Sequence, residues 1–420
     1  MIQTIKGRNL LAGFLLFVFL MMGHQSIFAQ NNGNYFTISG IVKDSKTKKS
    51  IENVSVSVSG AGIGTVTNAD GAFTLKIPDS STAKYVKLSH IGYVNYSMAI
   101  DRNGTGERTV FLLVKTAPLQ DVMVSSVDPL KLVLDAMDKI PHNYSPKANL
   151  LTGFYRETIR KRRTYVNIAE AVIDVYKTKY SEPVDYDRVS VYKGRKLLSQ
   201  KADTVIVKFQ GGPNLSLILD IVKNGDFLLN KNDLNNYKFS MEEPVLIDDR
   251  PHYVVSFAPR ALLPVEQYIG KFYIDQQSLA FSRIEFSLSM ADLQVATDAI
   301  LRRKPYGMRF KPESVSTFVT YKQRDGISYL NYVRSEVRFQ CDWGKRLFAT
   351  NYAVVSEMVV TDIKEQGVAR IPYRDSFKDS QVLSDKVDDF SDPDYWEDYN
   401  IIEPTESLES AVGKLKKQYK

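Results

Sequence analysis

The stretch Gly64-Thr65-Val66-Thr67-Asn68-Ala69-Asp70-Gly71-Ala72-Phe73-Thr74-Leu75 limits what this chain can fold into more than any other. Two short alternating runs flank Asn-Ala-Asp-Gly, residues that tolerate or need left-handed backbone, so the stretch predicts two strands joined by a tight turn. The same punctuation continues from Phe36 to Leu113. Phe36 to Asp44 alternates, Val54, Val56 and Val58 alternate with Ser55, Ser57 and Ser59, and further short runs follow at Tyr85 to Ser89, Tyr93 to Ile100 and Thr109 to Val114. About seven short strands with turns between them predict an antiparallel β-sandwich.

The segments Gly40-Ile41-Val42-Lys43-Asp44, Ile63 to Leu75 and Leu88-Ser89-His90-Ile91-Gly92-Tyr93 carry a resemblance to the carboxypeptidase regulatory-like domain. That domain is a transthyretin-like sandwich which also precedes the plug of many outer-membrane TonB-dependent receptors. The Pro-Leu-Pro-Gly usual ahead of its second strand is replaced here by Ser50-Ile51-Glu52-Asn53, which alters a turn. The resemblance implies a fold and an envelope setting. It implies no activity, because the domain is an accessory joined to unrelated partners.

The first 29 residues read as an export signal: Lys6 and Arg8, an apolar run from Leu10 to Met22, and Ile27-Phe28-Ala29 before the cleavage point. The run is short of the ~20 residues that a membrane helix needs. The formal net charge of +7 falls to +5 without this leader. The only cysteine, Cys341, allows no internal disulfide and offers no lipid-attachment site after the leader. Between Phe339 and Trp343 it reads as a packed thiol.

Past the sandwich, Asp128 and Pro129 predict the start of a helix running to Ile140, with Leu130, Val133, Leu134 and Met137 on one face. A shorter helix is predicted over Asn214 to Val222. From about Leu150 to Val360 long strands dominate: Ile284, Phe286 and Leu288 alternate with Arg283, Glu285 and Ser287, and Asp275-Gln276-Gln277-Ser278 reads as a hairpin turn. The hairpin Gly270 to Asp275 followed by Phe281 to Glu285 is similar to those of the half-barrel sheets of lipoprotein carriers and lipid-binding envelope proteins. Residues 385–409 hold ten acids against Lys386 alone. A last helix is predicted from Thr405 to Gln418. The expected order is a leader (1–29), the sandwich (35–116), a linker with a helix (117–145), a large antiparallel β domain, in form a half-barrel (146–362), and an acidic tail with a helix (363–420). The fold class is therefore mainly β with a few helices.

The stretches Ile140 to Tyr144, Leu151 to Glu157 and Tyr395 to Pro404, taken with the sandwich, resemble a family of envelope proteins that carry a carboxypeptidase-like regulatory domain. Some of its members continue into an outer-membrane barrel. The resemblance brings no active site.

Nor do the residues supply one. A zinc carboxypeptidase needs His-x-x-Glu and a distant His, whereas His90, His142 and His252 are followed three positions on by Tyr93, Ser145 and Val255. Asp44 and Asp70 beside turns do not make a calcium loop. The adjacent acids Glu242-Glu243 and Asp248-Asp249 point to opposite faces of a strand and form no shared pair. No Gly-x-Ser-x-Gly elbow or phosphate-binding glycine loop is present. The expectation is a non-enzyme with no metal and no cofactor.

Two groups stand out as candidate contacts. Arg160, Arg162 and Arg163, with Lys161, and Arg302 and Arg303, with Lys304, are basic clusters that suit solvated hairpin ends or an anionic envelope surface. Export argues against nucleic acid. Tyr395, Trp396 and Tyr399 in the acidic tail suit a sugar, a partner's groove, or packing back onto the basic body. The functional expectation is a periplasmic or outer-membrane-associated binding protein whose partner is an envelope protein, glycan or lipid. The alternatives are a lipid or lipoprotein carrier and, behind it, a hydrolase.

Overall fold

The computed structural model describes residues 35–102, 106–115, 127–200, 210–301, 306–343, 349–389 and 395–417. The leader reading, residues 1–29, lies outside them. Strands form where apolar and polar residues alternate: β1 (Tyr35–Asp44), β2 (Ser55–Val58), β3 (Gly64–Val66), β4 (Ala72–Pro78), β5 (Tyr85–Ser89), β6 (Tyr96–Ala99) and β7 (Arg108–Leu112). They make two sheets ordered β4-β1-β7 and β3-β2-β5-β6. Val42, Val54, Val56, Leu75, Val86 and Leu88 are fully buried between them. The pairing departs from the antiparallel expectation at β1 and β7, which run parallel.

The turn before β4 is built by Asn68, whose Oδ1 accepts from the N–H groups of Asp70 and Ala72, each at 2.9 Å. Gly71 follows at φ +77°, where an added Cβ would lie 2.5 Å from the Val42 carbonyl. Only glycine fits that approach.

The second sheet has eleven strands: β8 (Asn149–Lys161), β9 (Thr164–Lys177), β10 (Arg188–Leu198), β11 (Tyr237–Ile247), β12 (Arg250–Pro259), β13 (Tyr268–Asp275), β14 (Phe281–Leu288), β15 (Met308–Arg324), β16 (Ile327–Trp343), β17 (Thr350–Lys364) and β18 (Asp388–Asp389). Their order is β11-β12-β13-β14-β15-β16-β17-β8-β9-β10-β18, so the sheet does not close. It is antiparallel except where β18 joins β10 in parallel, setting Asp388 and Asp389 opposite Arg195 and Lys196.

Helices α1 (Pro129–Asp138), α2 (Ile140–Asn143), α3 (Asn214–Ile218), α4 (Gly225–Leu228) and α5 (Leu293–Ile300) accompany this sheet, and α6 (Glu406–Lys416) ends it. Asp128 caps α1 by accepting from the N–H groups of Leu130 and Lys131. Leu132 and Val133 of α1, Leu217 of α3 and Leu228 of α4 pack with Tyr155, Val175, Phe272, Phe281, Val319 and Met358 of the sheet. The opposite face, with Phe154, Val172, Tyr332 and Val359, takes Val66 of the sandwich and Trp396 and Ile402 of the tail. Leu408 and Leu415 of α6 cover Ile168 and Leu197. The helix expected over Asn214 to Val222 stops at Ile218, because Asp220 turns into the core to meet two tyrosine hydroxyls. No helix among the described residues is long and apolar enough to cross a membrane.

The large sheet has two unlike ends. At one, the β11–β12 turn meets the sandwich: Gly92 N–H donates to the Leu246 carbonyl at 3.2 Å, and Lys87 pairs with Asp248 at 3.1 Å. The β15–β16 turn lies at the same end. At the distal end lie the β8–β9 turn, the β12–β13 loop and the start of β15.

Candidate functional site

A cleft of about 640 Å³ opens at the distal end, walled by α4, the approach to β11, the β12–β13 loop and α5. Its loop is held from beneath by Gln267, which is buried. The Gln267 Nε2 donates to the Ala261 carbonyl at 2.9 Å, and its Oε1 accepts from Leu263 N–H at 3.1 Å. Aromatic walls come from Phe227 and Tyr268, whose rings lie 5.2 Å apart, and from Tyr237.

Four carboxylates line the same space: Asp226, Asp233, Glu266 and Asp298. Glu266 accepts from the Tyr268 hydroxyl at 2.7 Å, and Asp298 from the Gln294 amide at 3.0 Å. Among the described residues no lysine or arginine pairs with any of the four. Leu262, Val265 and Leu293 stand exposed on the flanking loop and helix.

On the helix-bearing face the sheet is filled rather than open. Lys177 pairs with Asp220 at 2.7 Å and with Asp187 at 3.2 Å, and Tyr180 and Tyr321 both donate to Asp220, all of them buried. Burial pulls the Lys177 ammonium down, but Asp220 and Asp187 outweigh it and hold its pKa above the ordinary value. Lys223 is pushed down to about 8, chiefly by burial and then by Lys177, against the pull of Asp187. A lysine near 8 has the pKa of a nucleophile. Its ammonium, however, is spent on the Thr178 hydroxyl at 2.8 Å and on the carbonyls of Thr178 and Lys179. The cluster ties the segment after α3 to β9 and β15. Its members are too scattered along the chain to show as a sequence pattern.

On the same face Glu157 is fully buried. It accepts from the Tyr155 hydroxyl at 3.2 Å through Oε2, while its Oε1 has no hydrogen-bond partner among the described residues. Burial pushes this carboxyl up to about 8.

The residues singled out in the sequence fall in two places. Arg162 and Arg163 form the β8–β9 turn at the distal end, next to Arg160 in the last residues of β8, and Arg162 N–H donates to the Asn351 carbonyl at 2.8 Å. Arg302 and Arg303 lie outside the described residues. Trp396 is buried: its indole meets the Phe154 ring edge-on at 5.3 Å and carries the Arg195 guanidinium at 4.8 Å. Tyr395 donates to the Gly194 carbonyl at 2.5 Å, and Tyr399 lies 5.4 Å from the Tyr192 ring. Cys341 is buried inside β16, its thiol pushed up to about 11 by burial. His252 is also buried, bonded to the Arg250 carbonyl at 2.8 Å and the Ser282 hydroxyl at 2.7 Å. No group of metal-ligating side chains is assembled among the described residues.

Residues 38–124 match the CarboxypepD_reg-like domain family. The sandwich is a CarboxypepD_reg-like domain. The tail fastens that domain to the large sheet: Thr65 Oγ1 donates to the Ile401 carbonyl at 2.7 Å, and Asn68 Nδ2 donates to the carbonyls of Glu403 and Pro404. Asp70 Oδ2 accepts from Glu406 N–H at 2.8 Å where α6 begins. The turn that organises the CarboxypepD_reg-like domain is thus also the clasp for the tail. Beneath the strap, Arg156 pairs with Glu170 at 2.7 Å and donates to the Ile402 carbonyl at 2.7 Å.

No curated protein sequence matches the chain. Among solved structures, a DUF1329 family protein from Desulfovibrio piger is 12% identical, with 58% of this chain and 96% of that chain covered at a TM-score of 0.25. A domain from Vibrio parahaemolyticus assigned to outer membrane lipoprotein sorting is 9% identical, with 57% and 93% covered at a TM-score of 0.25. Lipovitellin is 10% identical, with 56% of this chain and 27% of that chain covered at a TM-score of 0.24. Likenesses at such TM-scores carry no argument.

Proposed function

We propose that this is an exported, non-catalytic binding protein of the cell envelope that holds a cationic, apolar-flanked segment of a partner polypeptide in the distal cleft. The observation that supports this most is the concentration of Asp226, Asp233, Glu266 and Asp298 around one 640 Å³ opening, with no lysine or arginine among the described residues paired to them, in a chain whose net charge is +7. Charges of one sign lining a cleft raise the local concentration of the opposite sign and steer its approach. Tyr237, Tyr268 and Phe227 offer the aromatic surface on which such a segment gains affinity, and Leu262, Val265 and Leu293 offer apolar contacts nearby. In this reading the CarboxypepD_reg-like domain is a brace on the opposite face.

The open eleven-stranded sheet with helices on one face favours a second reading, a lipid or lipoprotein carrier. Against it stand the side chains of α1, α3 and α4 and the Lys177 cluster, which occupy the volume an acyl chain would need.

The test is calorimetric titration with a short peptide of lysines flanked by leucines, beside its glutamate counterpart. The lysine peptide is expected to bind and the glutamate peptide to fail. Asp226→Asn with Asp298→Asn is expected to weaken binding by at least about tenfold, as loss of two facing charges implies. Equal binding of both peptides, or an unaffected variant, would overturn the reading.

A further inference from the structure

A second patch of the distal end, separate from the cleft, has the opposite charge. The strand register brings the β8–β9 turn with Arg160, Arg162 and Arg163 to the same end as Arg309 and Lys311 at the start of β15. Arg309 is spent on Asp342 at 2.7 Å, and the Arg160 guanidinium lies 5.7 Å from the Tyr165 ring centroid. Arg162, Arg163 and Lys311 are exposed and have no carboxylate partner among the described residues. Tyr306, two residues before β15 begins, is fully exposed.

We propose that this end docks on an anionic lipid bilayer, with Arg162, Arg163 and Lys311 against the headgroups and Tyr306 at the level of the interface. Three observations point the same way. Arg162 and Arg163 sit on the turn at this end of the sheet, and the register sets Lys311 level with them through Gln340 and Asn351. Tyr306 at this end is of the residue type that suits a membrane interface, where one side of the ring is apolar and the hydroxyl is wet. The sandwich meets the sheet at its other end, through Gly92–Leu246 and Lys87–Asp248, and so does not cover this one.

The acidic cleft does not cancel the attraction. Arg162 and Arg163 stand beside β8, five strand spacings from β13, roughly 24 Å at about 4.8 Å each and about three times the screening length of about 8 Å at physiological salt, while Lys311 on β15 is two spacings from β13. Each basic side chain at an anionic surface contributes roughly a fivefold gain in partitioning.

The test uses residues 35–420, which form one compact unit, in co-sedimentation with vesicles of equal parts phosphatidylglycerol and phosphatidylcholine and with vesicles of phosphatidylcholine alone. Binding is expected to the anionic vesicles only, to fall by about 25-fold in Arg162→Ala with Arg163→Ala, and to vanish in high salt. The surface location of both arginines predicts unchanged melting, which serves as the folding control. Asp226→Asn with Asp298→Asn is expected to leave vesicle binding intact, so failure of the cleft reading and failure of this one are separately visible. Absence of binding to anionic vesicles, equal binding by the double arginine variant, or binding to heparin without binding to vesicles would each overturn the proposal.

Discussion

The Asn400 side chain is hydrogen-bonded both ways to the main chain of Lys76: its Oδ1 accepts from Lys76 N–H at 2.7 Å, and its Nδ2 donates to the Lys76 carbonyl at 3.0 Å. Lys76 lies on β4, an edge strand of the sandwich, so a residue from the far end of the chain supplies a rung that the edge otherwise lacks. Asn400→Ala leaves both main-chain groups without that partner and is expected to cost about 1–3 kcal/mol. Asn400→Asp removes the donor and is expected to do no better. Urea unfolding measures both, and an unchanged midpoint would speak against the strap.

Trp396 anchors the same strap between Phe154 and Arg195. Trp396→Ala is expected to lose about 3–5 kcal/mol. The tail bridges the sandwich and the sheet beside their direct contacts at Gly92–Leu246 and Lys87–Asp248, and loss of its anchor is expected to let calorimetry resolve two unfolding transitions where the parent shows one. A single transition would mean that the two parts are coupled through other contacts.

Glu157 gives the stability a pH dependence of predictable sign. Its carboxyl stands near 8 in the folded chain against an ordinary 4.5. Between those values the folded protein keeps a proton that the unfolded chain has lost, so the contribution of Glu157 to stability is greatest below about 4.5 and declines as pH rises through 8. Glu157→Gln is expected to flatten this decline and to be the more stable protein at pH 8, as read from urea midpoints across the range. A parent and variant with parallel pH profiles would contradict it.

The buried Lys177 cluster makes a different prediction. Lys177→Met strands Asp187 and Asp220 without their shared counter-ion and is expected to cost about 3–5 kcal/mol. A loss below about 1 kcal/mol would show that Lys223 alone neutralises both carboxylates. Glu170 acts in the acid range: burial tends to raise its pKa, but Arg156 and Arg195 outweigh it and hold it below the usual value. Its contribution is therefore present above the ordinary carboxylate range and is lost as pH falls through it.

Local signals in the sequence carried as far as local physics does. The Asn68 turn, the Asp128 cap and the Asp275 turn, where Oδ1 accepts from the N–H groups of Gln277 and Ser278, are contacts between near neighbours, and their residue types announce them. Alternation exposed the strands because one face of each is buried. It did not show what buries the other: Ser55 and Ser57, outward-facing on β2, turn toward Lys322 and Arg324 of the large sheet. The parallel joining of β18 to β10 spans almost 200 residues, and no local pattern encodes it. The short helix α5 went unread because it is a two-turn element behind a strand, held by its Asp292 cap. The cleft was equally silent, since Asp226, Asp233, Glu266 and Asp298 come from α4, the approach to β11, the β12–β13 loop and α5 and become neighbours only when the sheet has formed.

Extraction and mass spectrometry of lipids from the purified protein tests most directly whether the large sheet is a packed platform that binds at its end or a container. The packing of α1, α3 and α4 onto Tyr155, Phe272 and Phe281 predicts no acyl chain in stoichiometric amount. One lipid per protein molecule, retained through purification, would contradict the account.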